Sequence, residues 1–124
     1  MTSEVLDHET LAALLEAGGI EIAAALAEQL TNDFTRIHDS ADAQISRLDL
    51  GEKPDFKAIH MIAHEMKGLA LTIGAHKLAD VSLRAEVLAR DKDGEALASH
   101  LPEFTALCDR VRDALEQSIE SLIT

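Results

Sequence analysis

Three residues within one helical turn, His64, Lys67 and Gly68, have the side chains and the spacing that phosphoryl chemistry would use. They lie in the largely apolar stretch IHMIAHEMKGLALTIGAHKLAD at residues 59–80. A neutral imidazole is a nucleophile at physiological pH because its unperturbed pKa is about 6.5. An ammonium group contacts phosphate as a point charge. Glycine costs a helix roughly 1 kcal/mol relative to alanine, so a glycine beside this histidine needs a reason.

Helical periodicity turns His64 away from the protein interior. On a wheel of about 100° per residue, the apolar residues of this helix form one stripe whose centre lies almost opposite His64. That stripe consists of Ile59, Ile62, Ala63, Met66, Leu69, Ala70 and Ile73. Since Gly68 lies on the outward face, it adds nothing to a core. We interpret it as clearance that lets another molecule approach the imidazole.

The surroundings of His64 on the outward face predict a docking surface. The segment 56–79 has three lysines and one acid, whereas the whole chain has a formal charge of −12. Apolar residues are also expected to be exposed around the histidine, although a single exposed apolar residue is common on any surface. The candidate docking residues are Lys57, His60, Met61 and Leu71.

Apolar spacing and turn residues predict five helices that position this face. The expected ranges are His8–Ala17 after an Asp7 cap, Ile20–Leu48, a third helix with Pro54 in its first turn ending at Thr72 or Ile73, and His76–Arg90. For the last helix two alternatives stay open: Pro102 starts it, or Pro102 kinks a longer helix that begins near Glu95. The predicted fold is all-α, a single domain over residues 1–124. Its expected architecture is an antiparallel up-and-down four-helix bundle with a short additional N-terminal helix.

Composition excludes several classes of protein. A chain this acidic is repelled by nucleic acid and by anionic lipid surfaces, so we expect neither as a partner. The single cysteine, Cys108, excludes an internal disulfide framework and a cysteine-rich zinc site, and its spacing predicts a small core residue. No signal peptide and no membrane-spanning run is expected, which favours a cytoplasmic protein.

The stretch His64-Glu-Met-Lys67-Gly68, followed by Gly74, Leu78 and Glu86, resembles the motif of histidine-containing phosphotransfer (HPt) domains. The layout is also similar to that family, with Leu6-Asp7 before the first helix, Gly18-Gly19 after it and a long second helix. One residue departs from the pattern. The family commonly has a small residue after the glycine, where this chain has Leu69. Because Leu69 points inward, we expect altered packing and unchanged phosphoryl chemistry.

The resemblance implies that His64 is a phosphoacceptor that exchanges phosphoryl groups reversibly with the aspartates of receiver domains. These would belong to response regulators or hybrid histidine kinases. Lys67 would stabilise the phosphoryl charge, and the receiver would supply Mg²⁺, so we expect no cofactor of the chain's own. The sequence has no glycine-rich nucleotide loop and no room for an ATP-binding domain. We therefore expect a monomeric phosphocarrier and not a kinase.

Three alternatives stay open at this stage. Glu86 and Arg90, four residues apart, are either a surface ion pair or a residue that orients His64 next to one that extends the partner surface. His60 and His64, also four apart, could hold a metal ion, although no third ligand is evident. Finally, the bundle could be an interaction module that carries no phosphate.

Overall fold

Helices account for nearly all of the chain that the computed structural model describes, residues 5–123. Five helices follow one another: α1 His8–Glu16, α2 Ile20–Asp49, α3 Phe56–Ile73, α4 His76–Arg90 and α5 Gly94–Ile123. No strand occurs within residues 5–123, and no helix there is both long and apolar enough to cross a membrane. The predicted all-α fold is confirmed.

The structure decides between the two alternatives for Pro102 and corrects the prediction for Pro54. Pro102 lies inside α5, which begins at Gly94, so the longer last helix is the correct alternative. Pro54, predicted in the first turn of the third helix, precedes that helix. Asp55 is the residue that caps α3, because its carboxylate accepts a hydrogen bond from the Ala58 amide at 3.1 Å. The helix therefore begins after Asp55, whose side chain accepts a hydrogen bond from a first-turn amide that has no partner within the helix.

The four long helices enclose one hydrophobic core. α2 packs against α3 and α5, and α4 packs against the same two helices. The largest fully buried side chains include Phe34 of α2, Met66 of α3, Leu78 of α4 and Phe104 of α5. The short α1 contacts α2, α3 and α5. The short connections between α2, α3, α4 and α5 support the antiparallel order, which stays a prediction.

Predicted core positions are buried where helical spacing places them. In α3, Ile59, Ala63, Met66, Ala70 and Ile73 are buried, and Ile62 and Leu69 are half-buried against the same core. Cys108 of α5 is also fully buried. Burial raises the pKa of its thiol to about 12, so this cysteine is a packing residue with little thiolate at neutral pH.

The turn between α3 and α4 is held against the start of α1. The Asp7 amide donates a hydrogen bond to the Gly74 carbonyl at 2.9 Å. The Asp7 carboxylate accepts hydrogen bonds from the hydroxyl and the amide of Thr10 and from the amide of Glu9. These bonds, that of the Thr10 hydroxyl above all, hold the pKa of Asp7 below its ordinary value. Gly74 itself has a φ of 82° and ends α3 in the left-handed region.

Gly74→Ala is expected to destabilise the protein far more than Gly51→Ala, although both glycines have positive φ. A Cβ at Gly74 would lie 2.8 Å from Cβ of Thr10, whereas a Cβ at Gly51 would meet nothing within 4 Å. Left-handed strain alone costs about 1–2 kcal/mol, which is the loss expected for Gly51→Ala. Overpacking should add about 1–3 kcal/mol at Gly74. Urea unfolding of both variants measures the difference, and equal losses would contradict a close contact between Gly74 and α1.

Candidate functional site

His64 lies in the middle of α3 with its ring in solvent. The buried stripe of α3 leaves the opposite side of the helix free, and 64% of the His64 side chain is exposed. The helix is fixed at both ends, by the Asp55 cap and by left-handed Gly74. The expected outward position of His64 is therefore the one observed.

A carboxylate from the neighbouring helix joins His64 to Lys67. Glu86 of α4 places Oε2 2.8 Å from Nδ1 of His64 and Oε1 2.7 Å from Nζ of Lys67. Only 13% of the Glu86 side chain is exposed. Glu86 therefore contacts the His64 ring and does not form the surface ion pair with Arg90 that was the other alternative. Arg90 instead contacts its neighbour Asp91, with Nε 3.5 Å from Oδ1.

The contact with Glu86 distinguishes the two nitrogens of the His64 ring. An ionised carboxylate can only accept hydrogen bonds, so Nδ1 must carry a proton in this contact. In the neutral ring the lone pair is then on Nε2. An exposed imidazole held in this tautomer has one nitrogen anchored and the other available as a nucleophile.

Three nitrogen-bearing side chains converge on Glu86. Besides His64 and Lys67, His60 has its Nε2 3.7 Å from Oε2 of Glu86. The rings of His60 and His64 are parallel, with centroids 6.4 Å apart. The hydrogen bond from Lys67 is the largest cause that lowers the pKa of Glu86, and His64 adds to it, while partial burial opposes both. Glu86 is therefore a carboxylate that stays ionised well into acid.

Gly68 faces open space one turn after His64. A Cβ built at Gly68 would meet nothing within 4 Å, so no contact within the described chain requires a glycine there. The backbone is ordinary α-helix, and the hydroxyl of Thr72 donates to the Gly68 carbonyl at 2.9 Å. The open space beside Gly68 agrees with the interpretation that the glycine gives another molecule clearance to approach His64.

The candidate docking residues share the outward side of α3. Met61 is 56% exposed and Leu71 is 53% exposed, and Lys57 is exposed as well, whereas 39% of the His60 side chain is in solvent. Sequence reasoning missed Leu83 of α4, which is 46% exposed. Its position three residues before Glu86 was the signal that could have found it.

The net charge around His64 in the structure differs from the charge obtained by counting residues along the segment 56–79. Glu65, the one acid in that segment, pairs with Arg36 of α2 at 3.0 Å. Glu86, which the local count leaves out, lies against Lys67 and His64. The site therefore holds a lysine next to a compensating carboxylate, and is less positive than the segment alone suggests.

Glu86→Gln is expected to lower the free energy of unfolding at neutral pH and to lower it less in acid. Since the folded-state pKa of Glu86 is below its ordinary value of 4.5, its stabilisation is fully present above 4.5. It is lost as the pH falls through the lower, folded-state pKa. The free energy of unfolding of both proteins, measured by urea at several pH values, should converge in acid. A difference that does not change with pH would contradict an ionised Glu86 in this contact.

Comparison with known families agrees with this geometry. The sequence model of the Hpt domain matches residues 26–118, which include His64, Lys67, Gly68 and Glu86. The comparison with curated proteins gave no match, and neither did the comparison with solved structures.

The chain belongs to the Hpt domain family. Hpt domains are helical bundles that act as phosphocarrier modules in the phosphotransfer of two-component systems, where they interact with receiver domains. The match begins within α2, so α1 lies outside it.

Proposed function

We propose that this protein carries a phosphoryl group between receiver-domain aspartates as a phosphohistidine on His64. One observation carries the proposal: an exposed imidazole has Nδ1 held at 2.8 Å by Glu86 and an unobstructed glycine one turn away. That arrangement fits a nucleophile whose reaction partner is another protein.

The nucleophile of the transfer step is the lone pair of the His64 Nε2 nitrogen. This lone pair attacks the phosphorus of the aspartyl phosphate in line, and an N–P bond forms. The bond between phosphorus and the aspartate oxygen breaks, and the aspartate leaves as a carboxylate with the electron pair. The Nδ1 proton stays between the ring and Glu86, whose negative charge balances the charge that develops on the imidazole. The reverse sequence delivers the group to a second receiver.

Lys67 and Gly68 have complementary roles in this proposal. The Lys67 ammonium is 27% exposed and is held by Oε1 of Glu86, one turn from the histidine. From there it stabilises the oxygens of the phosphoryl group as they accumulate charge. Gly68 leaves room for the receiver to bring its phosphate against the ring.

Receiver docking would use the outward face around the histidine. Lys57, His60, Met61 and Leu71 form the rim on α3, and Arg90 extends it on α4. Apolar side chains on such a face supply contact area, and the cations supply orientation toward an acidic receiver site.

Phosphoryl transfer uses no cofactor bound to this chain, because the receiver supplies Mg²⁺ and the aspartate. The chain acts as a monomeric phosphocarrier in the cytoplasm and does not phosphorylate itself from ATP.

Incubation with a phosphorylated receiver domain is expected to label the chain at His64. The label should be acid-labile and base-stable, as expected for a phosphoramidate, and His64→Gln should abolish it. His76→Gln is the matched control, since His76 is exposed at the start of α4, outside the proposed site, and this variant should keep the label. Label that survives in His64→Gln, or no label from any receiver domain of the source genome, would refute the proposal.

Substitution of Gly68 should separate stability from transfer. Gly68→Ala is expected to stabilise α3 by about 0.5–1 kcal/mol, since its methyl group meets no other atom of the chain. Gly68→Gln should also fold, yet it should slow transfer by about tenfold or more, because misplaced reacting groups lose rate steeply. Thermal unfolding and single-turnover transfer test both statements. Equal transfer rates for Gly68→Gln and the natural chain would remove the clearance argument.

A further inference from the structure

A second histidine, His38, is buried between α2 and α5 away from the site around His64. Its side chain is 5% exposed and lies among the core positions of α2 next to Ile37. Its Nδ1 nitrogen has no hydrogen-bond partner within the described residues. Buried polar groups are nearly always paired, because an unpaired one loses its hydration without compensation. Nδ1 therefore is a buried ligand atom whose lone pair or proton the described chain leaves unpaired.

Carboxylates surround both nitrogens of the His38 ring. Nδ1 lies 3.6 Å from Oδ1 of Asp39 and 3.6 Å from Oδ2 of Asp42. These three ligand atoms all lie within 4.8 Å of one another. On the other side of the ring, Nε2 lies 2.7 Å from Oδ1 of Asp109 on α5. Nδ1 thus faces two carboxylates that lie beyond hydrogen-bond distance, which leaves room for a cation between the three ligand atoms.

We propose that His38, Asp39 and Asp42 bind one divalent metal ion of the zinc class. Tetrahedral bonds of about 2.1 Å place neighbouring ligand atoms roughly 3.4 Å apart, close to the two 3.6 Å separations observed here. One imidazole with two carboxylates is a ligand set that zinc accepts, with water in the remaining position. The imidazole disfavours Mg²⁺ and Ca²⁺, which prefer oxygen ligands. The acids are 70% and 54% exposed, so an ion can enter from solvent.

Asp109 is not a ligand of the proposed metal ion but contacts the other nitrogen of the His38 ring. A metal-bound histidine usually donates its other N–H to a carboxylate, which fixes the tautomer and the ring orientation. Asp109 is placed for that role at Nε2, and Nη2 of Arg112 holds the same Oδ1 at 3.3 Å. The ion would thus connect three residues of α2 to α5 through the His38 ring. The site does not depend on the proposed phosphotransfer.

Zinc titration by calorimetry tests the proposal in a background that removes the exposed pair, His60→Gln/His64→Gln. The untagged chain with these substitutions should bind one zinc ion. Adding Asp39→Asn and Asp42→Asn should abolish binding. The matched control adds Asp80→Asn and Asp91→Asn, two exposed acids on or next to α4, and should bind as the background does. Asp109→Asn should weaken binding by about tenfold.

Nitrogen NMR of the natural chain gives a second readout that does not depend on any variant. Added zinc should move the His38 Nδ1 resonance and leave that of His100 in place, since His100 contacts the Val81 carbonyl at 3.0 Å. Zinc shifts confined to His60 and His64 would overturn the proposal. So would retained binding after Asp39→Asn/Asp42→Asn, or a His38 ring that takes up a proton in acid and ignores zinc.

Discussion

One carboxylate, that of Glu86, organises the histidine and the lysine on the outward face of α3. It contacts Nδ1 of His64 and Nζ of Lys67 at the same time, one with each oxygen. Because it is mostly buried and ionised, its two partners are drawn to fixed places while their other atoms stay in solvent. The site thus needs no pocket. It needs two helices in the correct register, and the His64 ring is presented to solvent on the outward face of α3.

That register depends on the end of the bundle where α3 turns into α4. Gly74 ends α3 with a backbone conformation that other residues resist, and its carbonyl accepts the Asp7 amide. The short connection then leads directly into α4, which brings Glu86 alongside α3 three turns later. A motif glycine far from the histidine along the helix is therefore tied to the site through helix geometry.

Helical periodicity explains how much of this arrangement the sequence could predict. Spacing within α3 placed His64 outward and Met66 inward correctly, because both properties belong to one helix. The choice between an ion pair with Arg90 and a contact with His64 could not be made for Glu86, since the distance between two helices is absent from the spacing within either. For His38, the missing information was its burial against α5. Its acids at i+1 and i+4 are visible in the run HDSAD, but Asp109 comes from α5.

The contact between Asp7 and Gly74 also shows that the part of the chain that matches the family and the part that forms the folded core have different boundaries. The family match, residues 26–118, contains every residue of the proposed transfer site. Yet Leu11 and Leu15 of α1 are buried in the same core as Phe34 and Met66, and the amide that α3 receives at its end comes from a residue upstream of the match. The stretch that matches the family is thus shorter than the stretch that closes the hydrophobic interior, so a fragment of residues 26–118 would keep His64, Lys67 and Glu86 but lose the buried leucines of α1.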